Sequence, residues 1–267
     1  MLDGSLLAVV TANTFLIQTW GIASYIARPA WSLSAEWAAY LLFPLFAAIL
    51  IHGRRAFAVA GAVACLAAII VVSLSESSFV LGSQAHRSGT LDLHSFDSPA
   101  PMVRCIAGFG LGLVAYRLRE VGIVQSLLGN KRISHSVCAA VLVMLCIPRS
   151  DIAVVVLFPA LIISLSFQRG LLARVLSSNA IFAIGVWSYS IYLLHRPFFI
   201  MQDAIAERLA AYSLSSAEGL ATLLTIIVVI TLSAIAYNLI ENPGRGFINR
   251  LFGYSTRNAT APDKPGL

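Results

Sequence analysis

Long apolar runs separated by short polar stretches cover most of the chain, at about 5–25, 31–51, 56–74, 102–116, 133–147, 152–167, 181–201 and 220–240. At about 1.5 Å of rise per residue, the longer runs match the roughly 30 Å hydrocarbon thickness of a bilayer, whereas the fourth to sixth must stand upright or draw on their flanks. The pattern predicts an all-α polytopic membrane bundle of about eight transmembrane helices. Pro148-Arg149-Ser150-Asp151 reads as a tight turn joining the fifth and sixth into one hairpin, because Pro ends a helix and Ser or Asp can cap the next. Residues 1–241 form the membrane domain in this reading. Residues 242–267 form a polar cytoplasmic tail, with Pro243 stopping the last helix.

Composition strengthens the membrane reading. Apolar residues make up 58% of the 267 and charged residues only 11%, too few to cover a soluble core of this size. The net charge of +6 would suit nucleic acid, but its placement assigns it to topology. With the carboxyl terminus inside, Arg54, Arg55, Arg117, Arg119, Lys131, Arg132, Arg169, Arg174, Arg245, Arg250, Arg257 and Lys264 lie inside, against Arg28, Arg87, Arg104, Arg149, Arg196 and Arg208 outside. The alternation fits a cytoplasmic carboxyl terminus, with lipid and no nucleic acid as the contact, and a bacterial inner membrane is the expected setting. The amino terminus has no basic region ahead of its apolar run and is read as retained. Cys65, Cys105, Cys138 and Cys146 fall in or beside apolar runs without metal or disulfide spacing and are read as packing residues. No metal is expected: His86 and His94 stand eight apart in the Ser/Gly-rich outer loop 75–101, a spacing that fixes no geometry.

Two polar constellations interrupt this pattern. In Trp31-Ser32-Leu33-Ser34-Ala35-Glu36, continued by Tyr40 and Pro44, helical spacing puts Ser32, Glu36 and Tyr40 on one face. A carboxylate this deep in a span points to a polar cavity or partner, and hence to function; the alternative is a helix-start acid held by the positive helix end. In Ser188-Tyr189-Ser190-Ile191-Tyr192-Leu193-Leu194-His195-Arg196-Pro197, Ser188 and Tyr192 line up with His195 or Arg196. The imidazole there can act as acid or base, while the same residues also suit an interfacial helix end. Asn13 and Gln18 in the first run read as hydrogen-bonding or cavity-lining groups, and the Gly108/Gly112 pair as a helix-packing notch. Glu241-Asn242-Pro243 reads as structural, with Arg245 placed to pair with Glu241 or a lipid phosphate.

These two motifs, followed by Glu241-Asn242-Pro243, occur in the order found in acyltransferase family 3, which the chain resembles over nearly its whole length. The resemblance implies an integral membrane enzyme moving an acetyl or other acyl group from acyl-CoA, a donor rather than a bound cofactor, to a sugar hydroxyl of an envelope glycan or lipid-linked sugar. It belongs with the transferases of groups other than aminoacyl groups and with O-acetylation of polysaccharides. Members usually begin with a further helix pair bearing a histidine, so the chain is expected to be amino-terminally truncated; His195 matches a different motif. The implied site has Glu36, Tyr40 and His195 as catalytic candidates, with Trp31, Ser32, Ser34, Ser188, Tyr189, Tyr192 and Arg196 facing substrate in a wet cleft. A lipid-linked sugar transporter or flippase, and a non-catalytic fragment, are the competing readings. Reporter fusions placed after Arg55 and near Ser88 are expected to report opposite sides of the membrane; the same side at both sites would refute the topology.

Overall fold

The computed structural model describes residues 6–20, 26, 29–75, 89–91, 98–167, 170–210 and 217–253, and all regular elements among them are helical. The chain divides into two compact units, Met1–Leu176 and Ser177–Leu267.

The first unit holds α1 (Leu6–Thr14), α2 (Ala30–Phe46), α3 (Arg55–Leu74), α4 (Ala100–Leu118), α5 (Gly122–Leu128), α6 (Lys131–Leu145), α7 (Asp151–Ser166) and α8 (Leu171–Leu176). Its centre is the seam of α3 and α4, where Ile69, Val72, Ala107 and Leu111 are buried together with Leu91 and Ala100. Small residues let these backbones approach, as expected where lipid tails offer no hydrophobic drive for helix association. A Cβ at Gly110 would lie 2.7 Å from the Cys65 sulfur, whereas Gly108 and Gly112 face open space. The packing notch is therefore Gly110, on the opposite side of the helix from the pair singled out by spacing. α2 packs on α4 and continues through a π-turn, Ala47–Ile51. The Arg117 guanidinium at the end of α4 donates to the Leu50 carbonyl there at 3.0 Å. Helices α6 and α7 form the expected hairpin, joined inside by a 2.7 Å hydrogen bond from the Ser164 to the Ser134 hydroxyl, both fully buried. Ser150 does not cap α7: its hydroxyl donates to the Met144 carbonyl, while Asp151 Oδ2 accepts from the Thr90 amide and hydroxyl.

The second unit holds α9 (Asn179–Val186), α10 (Ser188–Leu194), α11 (Phe198–Ala210), α12 (Ala217–Ala236) and, after a π-turn at Tyr237–Glu241, α13 (Asn242–Leu251). Helices α10 and α11 both pack on α12. Pro243 does not stop the last helix. It stands just after the π-turn, where the backbone ladder is already shifted, and the helical run continues to Leu251.

The expected eight crossings are corrected to four. Among the described residues, four helices are long and apolar enough to span a membrane: Ala30–Ile51, Arg55–Leu74, Ala100–Leu118 and Glu218–Leu251. The chain is an all-α integral membrane protein, but four apolar runs do not become full-length spans. In the first, α1 ends at Thr14 and Leu16 takes a left-handed φ of 56°, a strained state for a bulky residue that turns the chain into a 3-10 turn at Gln18–Trp20. The fifth and sixth give helices of 15 and 16 residues, about 23 Å long, short of the roughly 30 Å core. The seventh breaks at Trp187, and again at His195–Pro197, where Pro197 cannot donate to a continuing ladder.

Replacing Gly110 with Ala is expected to cost about 1–3 kcal/mol through overpacking against Cys65, and Cys65→Ala in the same chain to recover part of that loss. Gly108→Ala is expected to change little. Thermal unfolding in detergent checks all three; a double variant no better than Gly110→Ala would show that the sulfur contact is not the cause.

Candidate functional site

In the first unit, α2 carries its polar residues on two sides. Ser34, Ala35, Ala38 and Ala39 are buried, and Glu36, Trp37 and Tyr40 are exposed on the other side. The buried side is tied down by the Gln18–Trp20 turn. Gln18 Nε2 donates to the Ala30 carbonyl at 2.9 Å, the Thr19 hydroxyl to the Trp31 carbonyl at 3.0 Å, and Trp20 Nε1 to the Ser34 carbonyl at 3.1 Å. Ser34 Oγ accepts from the Thr19 amide at 3.2 Å. Gln18 is thus a helix-linking group, whereas Asn13 Oδ1 accepts from the amide of Ile26, outside any helix, at 2.9 Å.

On the exposed side, the Tyr40 hydroxyl donates to Glu36 Oε2 at 3.4 Å, long for an O–H···O bond, which leaves the carboxylate acceptor capacity for an incoming hydroxyl. Phe109 of α4 meets both Tyr40 and Phe43 edge-on, at centroid distances of 6.3 and 6.1 Å, and so holds the Tyr40 ring from below. Ser32, one turn before Glu36, donates to the Pro29 carbonyl at 3.3 Å. Trp31 is half-buried beneath the Arg104 guanidinium, 5.5 Å from its ring, and Arg104 Nη1 donates to the Leu91 carbonyl at 2.7 Å. Ser32, Glu36 and Tyr40 therefore share the face that helical spacing assigns them, while Ser34 is turned inward.

In the second unit, His195 caps α10 and is half-buried between Tyr192 and Phe199, each 5.7 Å away between ring centroids. Its Nδ1 lies 2.6 Å from the Tyr192 carbonyl. A carbonyl can only accept, so this contact assigns the proton to Nδ1 in the neutral ring and leaves Nε2 as the basic nitrogen. Arg196 is exposed and stacks on Phe199 at 5.7 Å; Ser188 and Tyr189 are exposed and Tyr192 half-buried. On the opposite side of α10, the buried Ser190 hydroxyl donates to Glu241 Oε2 at 2.8 Å, and Arg245 pairs with Glu241 Oε1 at 2.6 Å.

Three of these groups were not legible as site residues. Arg104 stands out only as a cation a few positions inside an apolar run, Phe109 carries no sequence signal, and the Ser190–Glu241 link joins residues 51 positions apart. Among the described residues no group of three or more His, Cys, Asp or Glu side chains could hold a metal ion. His86, His94 and the tail at 254–267 lie outside the described residues. The cysteines are free: Cys65, Cys105 and Cys138 are half-buried and Cys146 is exposed.

Comparison with known proteins adds the chemistry. The sequence model of a family described as "Acyltransferase domain" matches residues 3–239. The chain is also 28% identical to Acyltransferase MdmB of Streptomyces mycarofaciens over 281 aligned positions, covering 97% of this chain and 68% of that protein. No solved structure matches it. The family match runs across nearly the whole chain, and the chain belongs to acyltransferase family 3.

Proposed function

We propose that this membrane acyltransferase moves an acetyl or other acyl group from acyl-CoA to a sugar hydroxyl of an envelope glycan or lipid-linked sugar. The observation that carries the reading is the family match over residues 3–239; the bacterial source and the name of the acyltransferase relative support it. An inner membrane is part of this reading, with Arg245 and Arg250 of α13 at headgroup depth at the end of the last span.

Transfer of an acyl group from a thioester to an alcohol forms a C–O bond and breaks the C–S bond. The alcohol proton must leave and the thiolate must gain one, so a base near the hydroxyl and donors near the carbonyl oxygen lower the barrier. Glu36 supplies a carboxylate held on a rigid helix, with Tyr40 adjusting its orientation through the long hydroxyl contact. In this reading it polarises the acceptor hydroxyl or orients the base that takes its proton. In the second unit His195 is a separate candidate, whose Nε2 can accept a proton and whose ring is set by the Tyr192 carbonyl and Phe199. Trp31 and Ser32 beside Glu36, and Ser188, Tyr189, Tyr192 and Arg196 around His195, provide the stacking and hydrogen-bonding surfaces that sugar recognition requires. Ser34, buried against Thr19, contributes by fixing α2 rather than by direct contact.

Glu36→Gln preserves shape and removes the charge. Acyl transfer from labelled acyl-CoA by membranes carrying this variant is expected to fall about 100-fold or more, the range for loss of acid–base assistance. Undiminished turnover would remove Glu36 from the mechanism, and glycan movement across the membrane without acylation would favour a transporter.

A further inference from the structure

A groove of about 620 Å³ runs between α4 and α7 in the first unit, lined by none of the residues assigned to acyl transfer. Its volume lies within the roughly 300–1,000 Å³ of small-molecule sites. Its floor is open because Gly108 and Gly112 have no side chain and no neighbour within 4 Å of where a Cβ would stand. Its rim residues Tyr116, Phe158 and Ile162 are 59%, 43% and 65% exposed, so the groove opens sideways along the helices.

The walls are apolar except at one end, where Arg119 follows the last residue of the span Ala100–Leu118. From Gly108 to Arg119 the helix rises about 16 Å. That is about half of the roughly 30 Å hydrocarbon core, the depth of one leaflet. The Arg119 guanidinium lies 5.6 Å from the Phe167 ring, which holds it at the groove's end, and its Nε is buried without a hydrogen-bond partner among the described residues. A spare buried guanidinium donor calls for an anionic oxygen, and guanidinium matches phosphate in charge and in fork geometry.

We propose that this groove seats an anionic phospholipid of the leaflet bordering Arg119, with its phosphate on the guanidinium and one acyl chain along Gly108 and Gly112. Basic pockets between membrane helices bind such headgroups. A long-chain acyl-CoA shares the phosphate and acyl chemistry. The one-leaflet depth and the sideways opening favour the lipid, which enters from within the bilayer. The inference is independent of the acyl-transfer reading.

Native mass spectrometry of the full chain in detergent, titrated separately with phosphatidylglycerol, phosphatidylcholine and palmitoyl-CoA, tests it. Phosphatidylglycerol is expected to be retained in preference to phosphatidylcholine and to raise the unfolding temperature. Arg119→Gln is expected to weaken phosphatidylglycerol binding by about five-fold or more, the value of one basic residue near an anionic surface, and to abolish the preference. Gly112→Leu, which fills the groove, is expected to weaken the same binding with Arg119 intact, so the two variants give independent readings. Arg250→Gln, on α13, is expected to bind as the parent does. Unchanged phosphatidylglycerol binding in either groove variant, or palmitoyl-CoA displacing the lipid from the groove, would overturn the proposal.

Discussion

A backbone carbonyl or amide left without a partner in hydrocarbon costs several kcal/mol, since no water is at hand to replace the lost bond. Wherever this chain departs from the regular α ladder, something in the protein must therefore take up the freed groups. The π-turn at Ala47–Ile51 leaves the Leu50 carbonyl to Arg117. The turn at Gln18–Trp20 is matched to the first turns of α2 by an amide, a hydroxyl and an indole donor. These pairings decide which irregularities the fold tolerates and where they sit.

The candidate chemistry follows from the same constraint. α2 is held by its buried Ser34 and alanine face, which leaves Glu36 and Tyr40 on a rigid exposed face instead of a mobile loop. Rigid placement matters because a misplaced catalytic group loses most of its effect. At His195 the helix ends beside Pro197, and the imidazole takes the Tyr192 carbonyl, so the interruption of α10 also sets which ring nitrogen is free. The second π-turn ends at Glu241, where Ser190 and Arg245 divide the two carboxylate oxygens between them. π-turns are often found near functional sites. Here the turn links α10, which carries the histidine, to the last span.

Packing between the helices relies on shape more than on hydrophobic segregation. Large apolar residues such as Leu41, Val63 and Leu142 face outward, 55%, 60% and 61% exposed, while alanines and Gly110 fill the contacts between helices. In water such a surface would aggregate; in lipid it is the solvated face. Buried hydroxyls supplement the small residues, as in the Ser134–Ser164 bond that closes the α6–α7 hairpin.

Helical class, membrane residence and the family were legible from the residue order alone, because apolar content and the spacing of Ser32, Glu36 and Tyr40 are local properties that survive any arrangement of neighbours. The hairpin turn and the Glu241–Arg245 pair were legible for the same reason. The number of spans was not. A run of apolar residues states what solvent it prefers, but whether it forms one straight helix depends on partners for the broken ladder, and those come from elsewhere: Trp20 reaching Ser34, or the interruptions around α10. Likewise, Gly108, Gly110 and Gly112 are equivalent in a string of letters. Only the position of Cys65 on a neighbouring helix makes Gly110 the close contact and leaves the other two lining an open groove. The link between Ser190 and Glu241 was decided at the same level, since two residues so far apart along the chain meet only through the packing of α10 and the end of the last span.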